Sequence, residues 1–290
     1  MMTSRHNVSA STPIGLVAGN GLLPLLVAQG AARRGLPVVA AAHLGETDRA
    51  LEGAVSRLLW VRLGQVDRIV RFLRSEGARS VVMAGGIGRV RAFTSARPDL
   101  GAVRIIARLR SFRDDHLLRA VADYLAQKGL PVVSPTDYLE GAMAPEGVLC
   151  GGPLGAEAER DARLGWEVAE LLGKADVGQT VVVKGGHVLA LEAIEGTDEC
   201  IRRAGALSGR RGGKGGAPDG VVVKRCKPQQ DPRFDLPAVG PGTVRAMAEA
   251  GLRALVVEAG STLLLDAAGL VSAAREAGIT VVGRSGRGVG

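Results

Sequence analysis

The densest concentration of chemistry in the chain is the segment Lys224-Arg225-Cys226-Lys227-Pro228-Gln229-Gln230-Asp231-Pro232-Arg233-Phe234-Asp235-Leu236-Pro237. Its three prolines fix φ and withhold N–H donors, so it reads as a stiff, non-helical loop. Such a loop can hold acids and bases in fixed geometry. Pro232 and Pro237 keep Asp231 and Asp235 off a common helix face. Hard carboxylate oxygens suit Mg²⁺, which takes one or two carboxylates together with phosphate oxygens and water. The competing reading is a surface loop with chance charges.

A second acidic cluster, Leu191-Glu192-Ala193-Ile194-Glu195-Gly196-Thr197-Asp198, leaves an apolar strand. Glu192 and Glu195 cannot both be buried without partners. Either these acids meet a metal or substrate, or Thr197 or Asp198 caps a helix and Glu195 is solvated. Asp114-Asp115 open another helix, where capping is the simpler explanation.

Two glycine turns follow apolar runs. Gly19-Asn20-Gly21-Leu22-Leu23-Pro24 leads into a helix, where backbone N–H groups can cradle a phosphate. A dinucleotide fingerprint would need glycine where Pro24 stands and an acid at the end of the second strand. That strand ends at Ala41-Ala42-His43, and the first acid is Glu46. Ala84-Gly85-Gly86-Ile87-Gly88-Arg89 is the second turn. Ligands of open parallel sheets sit beyond the carboxyl ends of the strands, so both turns could face one crevice. The alternative is that the glycines serve packing alone.

The elements that must position these residues alternate. Apolar runs over 14–18, 37–42, 58–61, 80–84 and 131–133 predict strands. Between them, Leu22 to Ala32 reads as a buried helix. Val66, Ile69, Val70 and Leu73 sit at i, i+3, i+4, i+7, with Arg68, Arg71 and Arg74 opposite, which predicts an amphipathic helix. Leu118, Val121, Ala122 and Leu125 mark the helix after Asp114. This alternation predicts an α/β fold with an N-terminal open parallel, Rossmann-like sheet over 1–145. Residues 140–160 are punctuated by glycine and proline and read as a linker. A second α/β domain with a mixed sheet, 146–290, is expected beyond it. It opens on a helix with Leu164, Val168, Leu171 and Leu172 on one face. Next come a hairpin turning at Gly185-Gly186, a Gly- and Arg-rich loop over 208–220, and strands over 221–224, 254–257, 262–265 and 279–282.

Composition bounds the function. Hydrophobic residues make up 46% of 290 and aromatics 3%, and the formal net charge is +8. The apolar share suffices for a buried core, and the low aromatic content argues against stacking platforms for nucleic acid. The positive charge reads as solvated surface or as attraction to phosphates or an anionic membrane surface. Cys150, Cys200 and Cys226 are odd in number and widely spaced, which fits a reducing compartment. The first twelve residues lack a signal-peptide core, and no run of 18 apolar residues exists. A cytoplasmic protein, weakly peripheral to the inner membrane, is expected.

Several stretches together resemble the LpxI family of UDP-2,3-diacylglucosamine pyrophosphatases. They are residues 15–24, Met83-Ala84-Gly85-Gly86, Asp114-Asp115-His116-Leu117-Leu118-Arg119, Asp176-Val177-Gly178-Gln179, Glu192 to Asp198, Lys227 to Asp231, and Asp235-Leu236-Pro237-Ala238-Val239-Gly240-Pro241. Arg113 stands where the family often has glycine, and Asn20 interrupts its usual run of three glycines. The resemblance implies two domains with the substrate between them, a homodimer and Mg²⁺ dependence. It also implies that water attacks the sugar-side phosphoryl group, giving UMP and 2,3-diacylglucosamine 1-phosphate (lipid X). Asp235 occupies the family's catalytic acid position. On this reading Lys227 and Asp231 join it in catalysis, and Mg²⁺ or Mn²⁺ sits on Asp235 with Glu195 or Asp198. Gly19, Asn20, Gly21, Gly85, Gly86, Thr197, Gln230 and Arg233 contact substrate. The rivals are a nicotinamide-dependent oxidoreductase, suggested by the first turn, and a non-catalytic nucleotide-sugar or lipid-binding regulator.

Overall fold

The computed structural model describes residues 12–87, 97–109, 114–208 and 220–286. The chain divides into two units, residues 1–140 with 231–234, and residues 141–230 with 235–290.

The first unit runs β1 (Ile14–Ala18), α1 (Leu23–Arg33), β2 (Val38–His43), β3 (Arg57–Val61), α2 (Val66–Ser75), β4 (Val81–Ala84), α3 (Leu100–Ile106), α4 (Asp114–Gln127) and β5 (Val132–Val133). The strands form one parallel sheet in the order β3-β2-β1-β4-β5. The chain travels outward from β1 to β3, then returns to place β4 on β1's other side. The order therefore reverses between β1 and β4, the point where open α/β sheets form a crevice. In α2 the four apolar residues at helical spacing are buried and the three arginines opposite are exposed. Asp99 caps α3 by accepting from Ala102 N, and also accepts from Asp67 N, tying α3 to α2. Asp114 and Asp115 begin α4, and their side chains lie outside the described residues.

The second unit runs β6 (Gly147–Cys150), α5 (Ala156–Lys174), β7 (Thr180–Lys184), β8 (His187–Leu191), α6 (Thr197–Leu207), β9 (Val221–Lys224), β10 (Ala238–Val239), α7 (Pro241–Ala250), β11 (Ala254–Glu258), β12 (Leu263–Leu264), α8 (Ala267–Ala277) and β13 (Thr280–Arg284). The main sheet is mixed, in the order β6-β13-β11-β9-β7-β8. β9, β11 and β13 are parallel, and β6 and β7 flank them antiparallel. Val181–Val183 and Val221–Val223 are buried throughout, as central strands covered on both faces require.

Three expectations need correction. Part of the supposed linker, residues 147–150, pairs with β13 as an edge strand. The buried stripe of α5 is Ala162, Trp166, Ala169 and Leu172. Leu171 faces solvent, because two residues in sequence as close as 171 and 172 diverge by about 100° around a helix. The strand expected over 262–265 contributes only Leu263 and Leu264, which pair with Ala238 and Val239 in a separate small sheet. Residues 209–219 of the basic loop, and Gly88 and Arg89 of the second glycine turn, lie outside the described residues.

Candidate active site

In the first unit the two glycine turns do converge, because β1 and β4 are neighbours. Their convergence is a backbone contact. Gly19 N donates to the Ala84 carbonyl at 2.8 Å and Asn20 N to the Gly86 carbonyl at 2.7 Å. A Cβ on Gly19 would stand 2.2 Å from the Gly86 oxygen, so this glycine is required for close approach. The Asn20 side chain donates to Glu46 at 3.0 Å. Gly19, Asn20, Gly85 and Gly86 thus clasp one turn to the other, and two of the N–H groups a phosphate would need are already taken. Gly21 differs. Its φ is +82° and a Cβ there would meet nothing. Beneath the turns, His43 and Thr47 both bond the Ala18 carbonyl, and burial pushes the His43 imidazole below its ordinary pKa. The first carboxylate after β2, Glu46, lies beside the turn and is held by Asn20.

Within the same unit, Arg233 grips Asp231 with two parallel bonds, Nε to Oδ1 at 2.9 Å and an NH₂ to Oδ2 at 2.7 Å. That hydrogen-bonded guanidinium holds the Asp231 carboxyl below the usual carboxylate range. Phe234 packs against the core of this unit, and Ser134 donates to the Pro232 carbonyl. The residues expected to act separately, as a catalytic acid and a phosphate-binding cation, are each other's partner here.

The rest of the loop belongs to the second unit and leaves the carboxyl end of β9. Lys224 is buried, and its ammonium donates to Thr197 Oγ1 at 2.7 Å. Thr197 in turn donates to Glu192, whose other oxygen accepts from Gln179 N. Burial lowers the Lys224 pKa, opposed by Glu192, Asp198 and Cys200. Glu192 therefore finds the partners a buried carboxylate requires. Neither Thr197 nor Asp198 caps α6; the cap is Gly196 at φ +86°. The Thr197 hydroxyl is engaged inside this network, not presented to a ligand. Glu195 is held by Arg203 and by Ala193 N.

Further along, Arg225 lies 4.5 Å from the centre of the Trp166 ring and bonds Glu170, while Cys226 N donates to Glu258. Lys227 is paired with Asp176 at 2.9 Å. Asp176 also accepts from Gln229, and its backbone has a positive φ of 57°. Gln230 accepts from Lys227 N and donates to Asp235 Oδ1 at 3.0 Å. Sequence reasoning quoted Asp176 only within a stretch that resembles the family, gave Lys224 and Glu192 no site role, and missed Glu258. A non-glycine residue at positive φ is not visible as such in sequence, and nothing in residues 176–179 announces that they face the loop.

Among the described residues no three of His, Cys, Asp and Glu gather as a metal-ligand cluster. For Mg²⁺ the donor chemistry of Asp235 fits, since a carboxylate oxygen is the hard donor this ion takes. Glu195 does not fit as its second ligand, because Arg203 and Ala193 N occupy the carboxylate.

Two successive α/β units, with a loop of hydrogen-bonded carboxylates and amides leaving the carboxyl end of β9, define the class of fold. Comparison with known proteins narrows the class. Residues 13–142 match the family model of the LpxI N-terminal domain and residues 145–282 that of the LpxI C-terminal domain. A relative from Caulobacter vibrioides, UDP-2,3-diacylglucosamine pyrophosphatase LpxI, is 33% identical over 276 residues, covering 93% of this chain and 96% of its own. The chain belongs to the LpxI family. Among solved structures, the biotin carboxylase domain of a thermophilic 2-oxoglutarate carboxylase is 14% identical with a TM-score of 0.26, over 58% of this chain and 34% of its own. The biotin carboxylase subunit of pyruvate carboxylase is 13% identical with a TM-score of 0.25, over 73% and 44%. The chain spans less than half the length of either, and likeness at this level carries no argument.

Proposed function

We propose that the chain hydrolyses the pyrophosphate of UDP-2,3-diacylglucosamine, giving UMP and 2,3-diacylglucosamine 1-phosphate (lipid X), a step of lipid A synthesis. The observation that carries this reading is the likeness to the Caulobacter pyrophosphatase along nearly the whole of both chains. The local geometry supports it through Asp235, an oriented carboxylate on a stiff loop.

In the proposed step a water oxygen bonds to the sugar-side phosphorus while the bond from that phosphorus to the bridging oxygen breaks. The bridging oxygen leaves with UMP. Asp235 accepts a hydrogen bond from the attacking water and takes up the proton it loses. A Mg²⁺ or Mn²⁺ ion would be held by Asp235 and would supply neutralisation of the phosphates. Lys227 and Arg233 contribute positive charge only by exchanging their present partners, Asp176 and Asp231, for phosphate. Gly21, with open space around it, is the residue of the first turn best suited to admit substrate.

The substrate is amphipathic, and among the described residues no helix is long and apolar enough to cross a membrane. With a net charge of +8, the protein is proposed to act in the cytoplasm as a homodimer, held weakly at the inner-membrane surface by charge. Incubation with UDP-2,3-diacylglucosamine and Mg²⁺, with products read by mass, tests the reaction. UMP and lipid X are expected in equal amounts. Unchanged substrate at enzyme concentrations sufficient for a single turnover would overturn it.

A further inference from the structure

We propose that Gln230, first expected to contact substrate, is instead a positioning residue that aims the Asp235 carboxylate. The inference rests on the catalytic reading of Asp235 given above.

The chemistry of the donors fixes which way the Gln230 amide points. The backbone N–H of Lys227 can only donate, and it lies 2.8 Å from one end of the Gln230 amide. That end is therefore the carbonyl oxygen. The Cys226 thiol reaches the same oxygen at 3.2 Å. Burial, and after it the charges of Glu258 and Asp235, push this thiol up to about 11, with Lys227 and Arg225 opposing. The sulfur thus keeps its proton and is a second donor to the same acceptor. Both donors lock the oxygen, so the NH₂ group is the end left to face Asp235, and it donates to Oδ1 at 3.0 Å. A group held this way offers Asp235 a donor only. It fixes the carboxylate in one orientation, as a base or a metal ligand needs.

Chain connectivity gives the bond a second role. Residues 231–234 are grouped with the first unit, so the chain leaves the second unit after Gln230 and re-enters it at Asp235. The Gln230–Asp235 hydrogen bond ties together the two ends of this excursion. The flanking residues anchor the near end, Lys227 through Asp176 and Gln229 through the Gly173 carbonyl. The amide therefore carries the order of an anchored loop to one carboxylate.

Gln230→Glu separates this role from simple loop anchoring. It keeps an oxygen for Lys227 N and Cys226, and sets an acidic oxygen in place of the donor that faces Asp235. Wild type, Gln230→Glu, Asp235→Asn and the double variant are compared for kcat, KM and Tm on UDP-2,3-diacylglucosamine. The expected result for Gln230→Glu is a kcat lower by roughly 10- to 100-fold or more, from the lost hydrogen bond together with the like charge set beside Asp235, with KM close to wild type. In the Asp235→Asn background the same change should have no further effect on kcat, because a residue acting through Asp235 has nothing left to aim. Wild-type kcat in Gln230→Glu beside a crippled Asp235→Asn overturns the positioning role and leaves the catalytic reading standing. An equal further loss in both backgrounds overturns it as well, by showing an independent role. Asp235→Asn at the wild-type rate overturns the catalytic reading and the positioning role together.

Discussion

The glycine turns of the first unit and the proline-stiffened loop that leaves β9 both follow the carboxyl ends of parallel strands, yet they use their polar groups in opposite ways. In the turns, backbone N–H groups of Gly19 and Asn20 bond carbonyls of the facing turn, and Asn20 holds Glu46. The polar groups close on themselves and the glycines serve packing. In the loop, the Gln230 side chain links the backbone N–H of Lys227 to the carboxylate of Asp235. Glycine after a strand reports that something approaches closely, and here that something is another turn. Charged and amide side chains between prolines report order imposed on chemistry.

The comparison breaks or sharpens in several places. If the loop is a metal-assisted site, activity should vanish in EDTA and return with Mg²⁺ or Mn²⁺, and full turnover in excess chelator would remove the metal from the mechanism. Asp235→Ala should lower kcat by roughly 10²- to 10⁴-fold, the range for losing an acid–base or electrostatic group, with little change in Tm. Asp231→Ala should cost less, because that carboxylate is bound by Arg233. A larger loss at Asp231 than at Asp235 would reverse the assignment of the two aspartates.

On the glycine side the effect belongs to stability. Gly19→Ala should destabilise by about 1–3 kcal/mol or more, because the backbone oxygen it meets cannot swing aside. Gly21→Ala meets only open space and a strained φ, and should cost about 1 kcal/mol, read as a smaller fall in Tm. Equal losses at both would contradict the packing account. A folded Gly21→Val enzyme with raised KM would give that one residue back to substrate binding, while unchanged KM would leave the whole turn to packing.

The smallest effect is a pH dependence. Arg233 depresses the Asp231 pKa in the folded state, so the native chain binds fewer protons there than the unfolded chain. The resulting stability is present above the ordinary carboxylate pKa of about 3.9 and is lost as pH falls through the folded value. The Tm advantage of wild type over Asp231→Asn should therefore be clear at pH 7 and shrink as the pH falls below the ordinary carboxylate pKa of about 3.9. Because the arginine is 43% exposed, salt should weaken it too. An advantage that grows as the pH falls would have the wrong sign for this pair.

Much of the architecture was legible. The helix of Val66, Ile69, Val70 and Leu73 buried the face its spacing named, and the valine runs at 181–183 and 221–223 became central strands. Residues 147–150 were harder, since a short edge strand between glycines carries little periodicity and is defined by its partner β13. The ion pairs were harder still. Arg233 lies two residues from Asp231, which sequence displays, but Lys227 pairs with Asp176, 51 positions away.

The sequence by itself determined most of the order of strands and helices, the stiffness of residues 224–237 and the kinds of atom that loop can offer. Those follow from side-chain periodicity, from fixed proline φ angles and from residue chemistry, all of which are local. Only the tertiary structure decided how each polar group is used. It took Gly19 and Asn20 for the facing turn, buried Lys224 against Thr197, and gave Lys227 to Asp176. It also set the amide of Gln230 on Asp235. The reason is physical: a hydrogen bond or ion pair is settled by which groups the sheets bring within about 3 Å, and that distance is a property of the packed chain.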